Sequence, residues 1–154
     1  MPQEAQFCVV FHRDSTGAYA QTKLACLMFG NALDRRLKQA GLAIESLSAH
    51  PGMSNTELGR HGPKALQAIL DWTLVPILTH TPNRGALPQI QAALDGNAKG
   101  GEYYGPTGFQ EFKGPPGKVP QLPYALDTEQ QGRLWAVAKE ATGAVFPWES
   151  TPDA

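Results

Sequence analysis

The stretch GAYAQTKLACLMFGNALDRRLKQAGLAIESLSAHPG, residues 17–52, decides the fold. Ser15 and Thr16, just before it, are residue types that cap helix N-termini. From Ala18 to Ala40 the pattern is helical: Phe29, Leu33 and Leu37 recur at four-residue spacing, and Gly41 supplies the stop. Leu24 to Phe29 (LACLMF) is apolar on every side for more than a turn. That predicts burial on more than one face, against a sheet and against another subunit. After Leu33 the outer face turns charged, with Asp34, Arg35, Arg36 and Lys38. Leu42 to Ala49 then reads as a strand, ended abruptly by His50-Pro51-Gly52. A helix, a glycine and a strand with almost no linker form the αβ half of a βαβ unit, so an α/β fold is expected.

Outward from this unit the signals are shorter. Phe7 to Phe11 (FCVVF) is apolar and β-prone, and reads as a buried strand of uncertain setting. Residues 63–80 (PKALQAILDWTLVPILTH) read as one helix, or two broken at Pro76. Thr81 caps a further helix to about Leu94, with Pro88 against its continuity. Gly100 to Tyr104 (GGEYY) predicts a short strand entered through glycines. Residues 105–123 are expected to be loop, because Pro106, Pro115, Pro116, Pro120 and Pro123 oppose regular structure. Asp127 or Thr128 opens a last helix that ends at Gly143. No repeat and no linker divides the 154 residues, which suit a single domain.

Composition excludes several classes. Lys+Arg number 13 against 14 Asp+Glu, which leaves no electrostatic footprint for nucleic acid or an anionic membrane. Hydrophobic residues are 42%, enough to argue against wholesale disorder. Cys8 and Cys26 form neither CxxC nor a disulfide framework, so a reduced, cytoplasmic setting is expected. The first residues do not read as a signal peptide, and nothing approaches the ~18 unbroken apolar residues of a membrane span. His12, His50, His61 and His80 lack the spacing of zinc ligands, so no metal is expected. Gly52-Met53-Ser54-Asn55-Thr56 lacks the second glycine of a hydrolase elbow. Gly114 to Val119 (GPPGKV) lacks a Ser/Thr after the lysine, and its prolines remove N–H donors that a phosphate loop needs.

Chemistry concentrates at Tyr19 and Lys23, which lie one helical turn apart on one face. A free phenol holds its proton to about pH 10, and an adjacent ammonium favours the phenolate. Such a pair can serve as a general acid/base near neutral pH. By itself, the pair reads first as a solvated surface pair.

In context, the sequence resembles the short-chain dehydrogenase/reductase family. AYAQTKLACLMFGNALDRRL is similar to that family's Tyr-x-x-x-Lys helix, and SAHPGMSNTEL to its Pro-Gly-x-x-x-Thr turn. GGEYYGPTG and LDTEQQGRLWAVAKEATG resemble the last strand and closing helix of its retinol-dehydrogenase-like and protochlorophyllide-reductase-like branch. The family-like region covers 15–148, and residues 1–14 match poorly. The resemblance implies a Rossmann-like, doubly wound parallel sheet, of which this chain carries the C-terminal part. It implies NAD or NADP as cofactor and a small apolar alcohol or carbonyl substrate. Tyr19 would exchange the proton. Lys23 would assist it and bind the nicotinamide ribose. Pro51, Gly52 and Met53 would shape the nicotinamide pocket, and Thr56 would bind the carboxamide or a nearby phosphate. From the residues alone, Pro51-Gly52 reads equally as a strand-ending turn, and Thr56 as a helix cap.

No Gly-x-Gly occurs in the chain, although the family holds the pyrophosphate with a glycine-rich turn after its first strand. The N-terminal strands and that turn are therefore expected to be missing, and the chain alone to have little or no activity. A second reading makes it a non-catalytic remnant or interaction module. It would then self-associate or pair with a full-length relative through helix 18–40. A third places the remaining half upstream of Met1.

Overall fold

The computed structural model describes residues 15–52 and 81–149. Helix α1 spans Ser15–Gln39, so Ser15 and Thr16, read as capping types, lie within the helix. It ends as its sequence predicts. Gly41 takes φ +68°, its N–H donates to the Lys38 carbonyl, and the Leu42 N–H donates to Leu37. These crossed bonds are a Schellman ending, which satisfies two otherwise orphaned carbonyls.

Strand β1 follows but holds only Ser48–Ala49. The strand expected over Leu42 to Ala49 is thus realised only in its last two residues, and residues 42–47 take no regular structure. β1 pairs in parallel with strand β2, Tyr103–Pro106, through Ser48↔Tyr103 and Ala49↔Tyr104. No strand lies on the other edge of β1 among the described residues, and Leu42 and Ile44 are exposed. Apolar, β-prone residues need a neighbouring strand to become one. β2 itself starts later than GGEYY suggests, because Gly100 and Gly101 form the turn into it, with Gly101 at φ +84°.

Residues 105–123 are not all loop. Strand β3, Pro116–Lys118, pairs antiparallel with β2, through Tyr104↔Lys118, Gly105↔Gly117 and Pro106↔Pro116. Pro116 occupies the first position of an edge strand, where proline is tolerated. Single 3₁₀ turns lie at Phe109–Glu111 and Pro123–Leu126. The sheet is mixed, in the order β1-β2-β3, so the α/β class stands with one parallel and one antiparallel pairing among the described residues.

The expected helix after Thr81 divides into α2, Pro82–Gly85, and α3, Leu87–Leu94. Pro88 falls in the first turn of α3, where a missing N–H costs little. Helix α4, Thr128–Thr142, is bounded as predicted. The Asp127 carboxylate accepts from the Glu129 and Gln130 N–H groups, and Gly143 closes the helix at φ +65°. The expected strand at Phe7–Phe11 and the helix at 63–80 lie outside the described residues.

The packed end of the molecule is the second half of α1 against α4. Ala32, Leu37 and Trp135 are buried. Phe29, Trp135, Phe146 and Trp148 form a continuous stack with centroid spacings of 4.9, 4.8 and 4.9 Å, and the Arg36 guanidinium lies 4.2 Å from the Trp135 ring centroid. Several polar side chains there are paired, while the Trp148 indole N–H is buried without a hydrogen-bond partner among the described residues. The Asn31 amide donates to Gln121 and to the Ala125 carbonyl, Arg35 to Gln131, and Gln131 to Ala125. Buried Asp34 meets Lys38 at 2.7 Å. Leu24 to Phe29, expected to be buried on more than one face, is instead partly exposed, with Cys26 open to solvent.

Candidate active site

The N-terminal half of α1 and the chain leaving β1 enclose a cavity of about 500 Å³. Tyr19, Lys23, Cys26 and Leu27 reach it from the helix. Their spacing places all four on one helical face. Ser48, Ala49, His50, Pro51 and Gly52 reach it from β1 and the turn beyond, and Tyr103 from β2. The cavity therefore lies beside β1 and the turn at its C-terminal end, and meets β2 at that strand's first residue. The Lys23 ammonium is 5.4 Å from the Tyr19 ring centroid, over the ring face, and Tyr19 is 51% exposed.

The turn is built around what its glycine lacks. Gly52 has φ +70°, and a Cβ there would lie 2.6 Å from the Phe112 carbonyl oxygen and 2.6 Å from Pro106 Cγ. His50 anchors the strand end, because its N–H donates to the Tyr104 carbonyl at 2.9 Å. Its ring packs on Tyr103 with 5.0 Å between centroids. Its Nδ1 accepts the Gly52 N–H at 3.2 Å. Its Nε2 sits 3.1 Å from a Glu111 carboxylate oxygen, close enough for an ion pair but not aligned as a hydrogen bond. Burial lowers the His50 pKa below the usual histidine value, with the Glu111 charge opposing. Burial also raises the Tyr103 hydroxyl, and Glu111 adds to that shift. The ring fits because Gly105 has no side chain: a Cβ there would be 1.9 Å from His50 Nε2. Glu111 is presented by strained backbone, since Gln110 and Glu111 take φ of +47° and +59°. Each such non-glycine residue costs on the order of 1 kcal/mol.

Of the residues singled out in the sequence, Tyr19, Lys23, Pro51 and Gly52 share this one cavity. Met53 and Thr56 lie outside the described residues. In the sequence His50 reads only as the end of a strand, and Glu111 carries no local signal. A histidine directly before Pro-Gly is the one available hint. The nicotinamide end of a dinucleotide fits what is here. Lys23 offers an ammonium donor, and Gly52 leaves a wall of bare backbone. The described residues provide no glycine-rich turn for a pyrophosphate. Among them, no group of three His, Cys, Asp or Glu side chains could hold a metal ion, and no helix is long and apolar enough to cross a membrane.

No protein-family model matches the chain. It is 34% identical over 137 residues to human retinol dehydrogenase 13, covering 87% of this chain and 39% of that protein. It is 32% identical over 148 residues to human dehydrogenase/reductase SDR family member 13, covering 94% of this chain and 36% of that one. A crystal structure of an uncharacterized protein from Mycobacterium paratuberculosis superposes with a TM-score of 0.61 at 32% identity, over 84% of this chain and 40% of the other. The chain thus spans well under half the length of the relatives it matches.

Proposed function

Since this chain belongs to the short-chain dehydrogenase/reductase family, we propose that its cavity is where hydride passes between NAD or NADP and a small apolar alcohol or carbonyl compound. The observation that carries this reading is the convergence of Tyr19, Lys23, Pro51 and Gly52 on one cavity. A bound nicotinamide supplies or accepts the hydride. The Tyr19 hydroxyl gives its proton to the carbonyl oxygen in reduction and recovers it in oxidation. The Lys23 ammonium, over the Tyr19 ring, offsets the charge left on the phenolate and donates to ribose hydroxyls. Pro51 and Gly52 wall the nicotinamide side, Met53 continues that wall, and Thr56 binds the carboxamide or a phosphate. A retinoid alcohol or aldehyde is the first substrate to try, given the name of the human relative.

By itself the chain is proposed to turn over little or no substrate, since it contains no Gly-x-Gly. Cofactor oxidation with a panel of aldehydes and ketones, retinal included, should stay at background. Turnover that Tyr19→Phe abolishes would overturn the incompleteness and keep the role of Tyr19. Nicotinamide mononucleotide, which needs no pyrophosphate turn, should shift the NMR signals of Tyr19, Lys23 and Gly52. Shifts confined to other residues would overturn the reading of the cavity.

One observation favours a second reading, in which helix 18–40 pairs with another copy or with a full-length relative. No residue from Gly17 to Asn31 is buried, although Leu24 to Phe29 is apolar throughout. A strictly monomeric, well-folded chain on gel filtration would count against it.

A further inference from the structure

His50 is held at one ring nitrogen and left waiting at the other. Nδ1 accepts the Gly52 N–H, so it carries no hydrogen, and the neutral ring must carry its proton on Nε2. That Nε2 is buried without a hydrogen-bond partner among the described residues, yet a Glu111 oxygen lies 3.1 Å away. A proton added to the ring makes both nitrogens donors. Nδ1 would then oppose the Gly52 N–H, donor against donor, while the ring charge would be met by Glu111. Among the described residues, the groups around the ring are these. Glu111 faces it from the turn between β2 and β3, Tyr103 packs on it from β2, and Lys23 and Tyr19 line the same cavity from α1. Gly105 provides the recess the ring occupies. The Gly52 backbone, in turn, abuts the carbonyls of Glu111 and Phe112, so the two turns bear on each other.

We infer that His50 is a positioning residue for the Pro51–Gly52 turn: as neutral imidazole it fastens the Gly52 amide, and on protonation it releases that amide and pairs with Glu111. Its effect on cofactor binding rests on the reading of the cavity given above, but the fastening itself does not. Because burial outweighs the pull of Glu111, the neutral, fastened form persists somewhat below the usual histidine range. Release comes only under acid conditions.

Nitrogen-resolved NMR of the whole chain tests this without any turnover. At pH 7.5 the His50 ring should show the tautomer protonated on Nε2. Gly52 amide exchange protection should hold steady at neutral pH. It should fall about five- to tenfold as the ring titrates, the size expected for loss of one hydrogen bond. Glu111→Gln should move the titration to lower pH and leave the tautomer unchanged. His50→Asn, whose side-chain oxygen can stand in for Nδ1, should keep Gly52 protected across the whole range, and His50→Gln should not. The opposite tautomer overturns the inference. So does a Gly52 amide indifferent to the titration, or equal protection in the two His50 variants. Nicotinamide mononucleotide gives the separating arm. If it fails to bind while the tautomer and the protection behave as stated, the nicotinamide reading falls and the His50 inference stands.

Discussion

The two halves of α1 share one axis and have opposite surroundings. From Ala32 to Leu37 the helix is pinned: Ala32, Asp34 and Leu37 are buried, and Arg36 lies over the Trp135 ring. From Gly17 to Asn31 nothing is buried, and Tyr19, Lys23 and Cys26 stand open at the cavity. Packing and the proposed chemistry thus fall on different turns of one helix. The packed half fixes where the exposed half points, so the side chains proposed to react need not be buried to be positioned. Loops would hold such a pair less firmly than a helix anchored a few turns away.

This contrast can be broken by substitution at either half. Trp135→Ala should have the largest effect, about 3–5 kcal/mol in urea unfolding, because it removes the middle of the aromatic stack. A loss under about 1 kcal/mol would mean the α1–α4 packing is not what pins the helix. Gly52→Ala should cost about 2 kcal/mol, from the positive φ and the carbonyl its Cβ would strike. Asp127→Ala should cost about 1 kcal/mol by uncapping α4. A pH effect should follow from His50, whose folded pKa lies below the ordinary 6.5. The unfolded chain then binds more protons in that window, so the stability due to His50 is complete above pH 6.5 and is lost as pH falls through the folded value. Comparing unfolding midpoints of the wild type and His50→Gln across pH 5–8 would reveal it, and a rise in stability on acidification would contradict it. Tyr19→Phe should be the mildest, within about 0.5 kcal/mol, since the ring is half exposed. A cost above about 1 kcal/mol there would show that the exposed half also carries structure.

What could be read from sequence follows the range of the forces involved. The Schellman ending at Gly41 and the Asp127 and Gly143 bounds of α4 are local, decided within a few residues, and were legible. So was the pairing of Tyr19 with Lys23, which a single helical turn sets. The length of β1 was not legible, because Leu42 to Leu47 becomes a strand only if another strand lies beside it. β3 was hidden because its proline argues against a strand until the edge position is known. The meeting of His50 with Glu111 depends on the β2–β3 hairpin folding back, and no residue near either one announces it.

Gly105 has a consequence of its own. It touches nothing in the cavity, yet its bare α-carbon is the niche into which the imidazole retreats. A methyl group at that position would strike the ring and force it to shift. The seat of a ring that lines the cavity is therefore set from behind, by a residue outside the lining.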